Sequence, residues 1–258
     1  LFFTVATHGM RIDDELAKRM ARIGNMILLV AVDGPEAIHD ARRGEGAYQR
    51  VQQVFARLRE HGVLFGFSCM VSAKSHAALT SPQFIAALAE AGCAVGIYSR
   101  YFPLAADAVD TLTLQPDQLA TYTAAFDALG ASLPIPLFDL DEVEQHTGCQ
   151  SRAGESVYID GVTGQVAPCL RVPFAPAEVR IDKATGLGLA QALSHPFFTS
   201  YRTKSGSCPT WCGANLNSEL TAVGRLLSDE HTAQPERLTA FQGRARRHLP
   251  VLSASQQP

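Results

Sequence analysis

The sequence predicts an α/β fold built on a parallel sheet, followed by a small, loop-rich module that contains cysteines. Three observations carry this: four apolar runs rich in β-branched and aromatic residues, amphipathic stretches between them, and a change of texture after residue 135, where Pro and Gly punctuate the chain.

The runs Leu1–Thr7, Met26–Val32, Val63–Val71 and Ala94–Phe102 read as strands buried on both faces. Asp13–Ile23, Tyr48–His61 and Pro82–Ala91 read as the intervening helices, the last opened by Ser81 as N-cap and Pro82 at the first helical position. Gln115–Leu129 adds a further helix. This rhythm is that of strands joined by right-handed helical crossovers, and by itself it fits either part of a β/α barrel or an open doubly wound sheet. In both, ligands meet the C-terminal ends of the strands, which places Thr7-His8-Gly9, Asp33-Gly34, Val71-Ser72 and Arg100-Tyr101 where chemistry is expected. The organisation reads as residues 1–135 for the β/α part, 136–217 for the small module, and 218–258 for a polar helical tail with a frayed end. The module's clear hairpin runs from Val157–Asp160 through Gly161–Gly164 to Gln165–Ala167, and no internal repeat is evident.

With 258 residues, 47% hydrophobic and 18% charged, the chain can bury a large core. A net charge of −3 gives no basic field for nucleic acid or anionic lipid, and the cluster Arg244, Arg246 and Arg247 reads as a solvated helix face. No apolar run reaches the roughly 18–20 residues that a membrane span needs, and no charged segment precedes the first run as in a secretory signal. A cytoplasmic protein without nucleic-acid or membrane partners is expected. The chain starts directly on an apolar strand with no initiator Met, so it reads as beginning inside a domain.

Two groups of residues could carry chemistry. After the second strand, Asp33-Gly34-Pro35-Glu36-Ala37-Ile38-His39-Asp40-Ala41-Arg42-Arg43-Gly44 packs charge into what reads as a short loop. An Arg there can hold a carboxylate bidentately and an Asp can accept from sugar hydroxyls; equally, the segment fits a polar connection with a local Asp40–Arg43 pair. The six cysteines divide by context. Cys69 and Cys93 sit in apolar strands and read as small core residues. Cys149, Cys169, Cys208 and Cys212 lie in the Pro- and Gly-rich module, with Cys208-Pro209-Thr210-Trp211-Cys212 a tight loop of ligand type. Four thiolates suit zinc or an iron–sulfur cluster, and spacing does not choose between them.

Asp33-Gly34-Pro35-Glu36 with His39-Asp40, Arg43-Gly44 and Tyr48 resembles the fourth-strand region of radical S-adenosylmethionine (SAM) enzymes, especially those with a C-terminal SPASM or twitch cluster domain. Thr7-His8-Gly9 resembles that family's Thr-Asn-Gly at the preceding strand end. In the module, Cys149, the Tyr-Ile-Asp hairpin and Gly164-Gln165-Val166-Ala167-Pro168-Cys169 resemble the first half of the auxiliary-cluster pattern. The resemblance spans residues 1–215.

The resemblance implies the C-terminal half of a partial (β/α)6 TIM-like barrel, followed by a cysteine-ligated cluster domain. It implies an oxidoreductase or maturase in which SAM, held by a catalytic [4Fe–4S] cluster, is cleaved reductively to a 5′-deoxyadenosyl radical that abstracts hydrogen from a peptide or small-molecule substrate. Flavodoxin or ferredoxin would donate the electron. Carried onto this sequence, Arg43 would grip the SAM carboxylate and Asp33 would shape the pocket beside the ribose. Cys149, Cys169, Cys208 and Cys212 would hold one auxiliary [4Fe–4S] cluster, since a full SPASM domain carries more cysteines and two clusters.

The Cys-x3-Cys-x2-Cys loop of the catalytic cluster and the Gly-Gly-Glu stretch that contacts the SAM amine do not occur in these 258 residues. Both belong before the first strand here, so a missing N-terminal segment is expected, the chain alone is expected to be inactive, and its catalytic residues are unassigned. The competing reading is a zinc- or cluster-stabilised, non-catalytic binding protein on a degenerate form of the same fold.

Overall fold

The computed structural model describes residues 2–101, 110–129, 133–147, 149–169 and 175–203. The chain divides into two compact units, Leu1–Phe102 with Val109–Val143, and Pro103–Ala108 with Glu144–Pro258.

The first unit is a five-stranded, all-parallel sheet in sequential order: β1 (Phe3–Thr7), β2 (Met26–Ala31), β3 (Phe65–Val71), β4 (Gly96–Arg100) and β5 (Leu137–Asp139). Its helices are α1 (Asp14–Ile23), α2 (Glu36–Arg43), α3 (Ala47–Glu60), α4 (His76–Leu79), α5 (Pro82–Glu90) and α6 (Pro116–Leu129), with α7 (Leu140–Thr147) following β5. Sequential order with a helix in each crossover is the curl of a barrel wall, whereas a doubly wound sheet would reverse its order at a switch point.

Local chemistry sets the helix ends. The Asp13 carboxylate accepts from the Leu16 amide at 2.8 Å, and Gly24, at φ +63°, closes α1 in the left-handed conformation that spares glycine a Cβ clash. Val51, Val54, Phe55 and Leu58 recur at helical spacing on α3 and are buried in the core with Leu28, Val30 and Phe65. Phe55 stacks on Phe65 with centroids 5.3 Å apart, and Phe67 meets Tyr98 edge-on at 5.8 Å.

Three expectations are corrected. β1 is not buried on both faces: Phe3 is 49% and Val5 36% exposed, because among the described residues this strand pairs only with β2 and stands at the sheet's edge. Residues 36–43 form a helix rather than a loop. The sheet also gains β5, a three-residue strand placed just after Pro134 and Pro136.

The second unit holds α8 (Gln150–Ala153), the antiparallel pair β6 (Tyr158–Ile159) and β7 (Val166–Ala167), α9 (Leu189–Leu193) and α10 (Pro196–Thr203). Its small core gathers Val166, Val179, Ala192 and Phe198. Two turns here share one pattern, Asp-x-x-Thr-Gly, at Asp160–Gly164 and Asp182–Gly186. In each, Asp Oδ1 accepts from the amides two and three residues on, Thr Oγ1 accepts from the amide two residues on, and the Gly amide donates back to the Asp carbonyl. A short repeat therefore exists where none was expected; its five residues differ in the middle and escape notice beside the longer periodicities.

The sheet's close packing yields a prediction. A Cβ on Gly66 would stand 2.3 Å from the Val95 carbonyl oxygen, an atom that cannot move without the strand. Gly66→Ala should lower unfolding stability by about 1–3 kcal/mol in urea titrations, as overpacking does. Gly161→Ala, with nothing within 4 Å of the added methyl, should leave the midpoint in place.

Candidate ligand site at the strand ends

β2 delivers the site. Its last ladder bond runs from the Val32 amide to the Ser68 carbonyl at 2.8 Å, and the chain then turns sharply through Gly34 and Pro35 into α2. Gly34 is required there: its φ is +143°, and a Cβ would lie 2.9 Å from Ile38 Cγ2. Because α2 starts at once, its first turns bring His39, Arg42 and Arg43 back over the end of β2.

Asp33 is the centre of this arrangement, buried to 2% exposure. Its Oδ2 accepts from Arg43 Nε at 2.5 Å and lies 3.3 Å from Arg42 Nε, while Oδ1 accepts a long bond from the Met70 amide of β3 at 3.4 Å. Arg42 also reaches Met70 Sδ at 3.6 Å, and its burial pulls its pKa down despite the Asp33 carboxylate, which acts the other way. Two guanidiniums on one carboxylate leave a net charge of +1, and the terminal nitrogens of Arg43 are bonded to no acceptor among the described residues. Such a fork suits an incoming carboxylate. Asp33 and Arg43, expected as separate contacts around one ligand, are thus each other's partners.

The local Asp40–Arg43 pair weighed above is not formed. Asp40 instead accepts from the Tyr48 and Gly46 amides, each at 2.7 Å, tying the end of α2 to the start of α3. Those bonds, the Tyr48 amide foremost, hold its carboxyl below the usual range.

The other strand ends are also polar. After β1, Thr7 Oγ1 accepts from the Gly9 amide at 3.0 Å and His8 Nδ1 from the Met10 amide at 3.2 Å. Gly9 has φ +77°, and a Cβ there would meet Val54 at 2.9 Å. After β3, the Ser72 and Ser75 hydroxyls pair at 2.9 Å.

At β4 and β5 stands a second buried charge network, which sequence reasoning missed apart from Arg100. Asp139 Oδ2 accepts from Arg100 at 3.1 Å and from the Tyr122 hydroxyl at 2.9 Å, and its Oδ1 accepts from the Asp141 amide at 2.9 Å. Arg100 also contacts Glu142 at 3.3 Å and lies 5.7 Å from the Tyr122 ring centroid. The available signal was the acidic run Asp139-Leu140-Asp141-Glu142 after a brief apolar Leu137-Phe138, too short to stand out as a strand.

Cys69 and Cys93 lie in the core as expected. Burial drives the Cys69 thiol well above its ordinary pKa and pushes Cys93 up to about 12, so neither is poised as a thiolate. In the second unit, Cys149 precedes α8 and Cys169 follows β7, both half-buried. The Ser151 hydroxyl donates to the Pro168 carbonyl, which brings the backbone beside the two cysteines together. Cys208 and Cys212 lie outside the described residues. Among the described residues, no group of three His, Cys, Asp or Glu side chains is placed to hold a metal ion.

No sequence-family model and no curated protein matches the chain. Solved structures do. The AdoMet-bound enzyme anSMEcpe aligns with a TM-score of 0.59 at 14% identity, over 94% of this chain and 72% of that one. Its form with AdoMet and the Kp18Cys peptide gives 0.56 at 13% identity, over 94% and 76%. SuiB from Streptococcus suis gives 0.58 at 10% identity, over 78% of this chain and 51% of SuiB. The fold is that of the radical SAM enzymes. The radical SAM barrel is therefore present here in part, as the five-stranded parallel sheet, and the open doubly wound alternative is set aside.

The charge networks generate two predictions. Asp139→Ala leaves Arg100 only Glu142 as an ion-pair partner and the Tyr122 hydroxyl without its buried acceptor, and should cost about 1–3 kcal/mol in urea unfolding, with Asp139→Asn losing less. Burial, the leading cause, holds the His39 pKa below 6.5, so the unfolded chain takes up a proton at a pH where the folded one does not. His39's contribution to stability is then complete above 6.5 and shrinks as pH falls below it. The unfolding free-energy difference between the native chain and His39→Phe should shift against the native residue on acidification, measured by urea titrations across that range.

Proposed function

We propose that this chain is the SAM-binding and auxiliary-cluster portion of a radical SAM enzyme that modifies a peptide. The observation that carries the reading is the net-positive Asp33–Arg42–Arg43 cluster at the C-terminal end of a strand, in a sheet whose fold matches enzymes holding AdoMet. The fork of Arg43 fits the AdoMet carboxylate, and Asp33 both holds that fork and borders the space for the ribose. Arg42 adds a second cation beside the same carboxylate. When bound to a reduced [4Fe–4S] cluster, AdoMet supplies a 5′-deoxyadenosyl radical for hydrogen abstraction. The residues present bind and orient it, whereas the thiolates that ligate that cluster have no counterpart at Cys-x3-Cys-x2-Cys spacing in these 258 residues. Matching enzymes bound to the Kp18Cys and SuiA peptides favour a peptide over a small molecule. Flavodoxin or ferredoxin as electron donor follows from the family resemblance alone.

Cys149, Cys169, Cys208 and Cys212 are assigned to one auxiliary [4Fe–4S] cluster. The bond from Ser151 to Pro168 supports the first two as a pair, and half-burial suits a thiolate better than the closed core around Cys69. With all four irons ligated, electron relay suits such a cluster better than substrate binding.

In a protein carrying the catalytic Cys motif, Arg43→Ala and Arg43→Lys should both weaken AdoMet binding, by about 1.5–3 kcal/mol for the lost charge-assisted pair. Equilibrium dialysis with labelled AdoMet measures it; unchanged affinity in both variants would remove Arg43 from the site. The 258-residue chain itself, reconstituted anaerobically with iron and sulfide, should be brown yet release no 5′-deoxyadenosine with dithionite and AdoMet. Replacing any one of the four cysteines with Ala should lower iron per chain, while Cys69→Ala or Cys93→Ala should not. A colourless protein containing zinc would replace the cluster assignment.

A further inference from the structure

One buried, chemically capable side chain is left unexplained by AdoMet contacts. His39 lies one helical turn into α2 with 0% of its surface exposed, and it is the kind of residue that a leucine or phenylalanine could replace if filling space were its task. Its Nδ1 stands 3.1 Å from the backbone amide of Asp33. That amide has just left the sheet: the Val32 amide makes the last ladder bond, to Ser68, so no strand carbonyl serves Asp33. An amide only donates, so Nδ1 must carry a lone pair. Imidazolium, protonated at both nitrogens, cannot accept this bond, and neither can the Nδ1–H tautomer. The remaining nitrogen, Nε2, is buried with no hydrogen-bond partner among the described residues, and the ring meets Tyr48 edge-on with centroids 6.0 Å apart. The charges around the ring are Asp33, Arg43, Asp40 and Arg42.

We infer that His39, held as its Nε2–H tautomer, is a positioning residue: by accepting the Asp33 amide it fixes the turn that aims the Asp33 carboxylate at Arg43 and Arg42. This deepens the assignment of Asp33 and Arg43 to a ligand pocket and rests on it for its purpose, although the bond itself does not. The chain of consequence is short. The Asp33 amide direction sets where its Cβ points, which sets where Oδ2 meets Arg43 Nε at 2.5 Å and Arg42 at 3.3 Å. Loss of the acceptor would free the Gly34 turn and let the guanidinium fork drift.

Nitrogen-15 labelling of the chain tests this without any ligand. Long-range proton–nitrogen correlation should show Nδ1 unprotonated and Nε2 protonated at neutral pH. His39→Phe keeps a ring without an acceptor, and His39→Asn places a carbonyl oxygen near the position of Nδ1. In His39→Phe the Asp33 amide should exchange with solvent about tenfold faster, the equivalent of one hydrogen bond, and the Arg43 Nε–H signal should broaden. His39→Asn should restore both. A protonated Nδ1 in the native chain, or equal exchange at Asp33 in the two variants, overturns the inference. Because no AdoMet is added, these outcomes stand apart from whether AdoMet binds.

Discussion

A carboxylate almost wholly withdrawn from water, Asp33, sets the terms for everything around the end of β2. An unpaired buried charge is far too costly to persist, so Arg43 and Arg42 must both turn inward, although each keeps roughly a third of its side chain in solvent. That requirement fixes where α2 begins, which of its faces looks at the sheet, and why Gly34 precedes it. The excess positive charge follows from the same geometry. A buried anion that needs two cations to settle it leaves one half-used, and that surplus is what a ligand carboxylate can take up.

The arrangement at β4 and β5 solves the same problem with a different set of partners. There Asp139 is the buried anion and Arg100 its cation, with Asp141 accepting from the Arg100 amide and Glu142 contacting the guanidinium. The C-terminal ends of the strands therefore carry one buried ion-pair network at β2 and another at β4 and β5, with the Ser72–Ser75 hydroxyl pair of β3 between them.

Much of the sheet was legible in the sequence because buried parallel strands are continuous apolar runs, and Met26–Val32 and Val63–Val71 are unmistakable in that respect. β1 has the same texture, but residue type does not report whether a neighbour covers it, and Phe3 and Val5 lie at an edge. β5 was hidden because three residues after two prolines carry no periodicity. In the site, Asp33 and Arg43 stood out through charge density after a strand. His39, Arg42 and Asp139 did not, because a helix starting directly from a Gly-Pro turn reads as a loop, and because the bond between a ring nitrogen and a main-chain amide leaves no trace in composition. The pattern at 36–43 does contain the helix in retrospect: Glu36 in the first turn, then His39, Arg42 and Arg43 at spacings of three and four.

The tight turn from β2 into α2 also makes the interval from Asp33 to His39 a fixed length. Along a helix each residue advances the azimuth by about 100°, so a single insertion between Gly34 and His39 would swing the imidazole, Arg42 and Arg43 together off the strand end. Deletion would do the same in the opposite sense. Beyond Arg43 the chain bends through Gly44 and Gly46, held by the Asp40 carboxylate and by backbone bonds from the Gly44 amide to the Asp40 carbonyl and from the Ala47 amide to the Gly44 carbonyl. Chains descended from a common ancestor with this one should thus keep the count between the acid and the ring constant, a restriction on length visible in a sequence comparison before any side chain is considered.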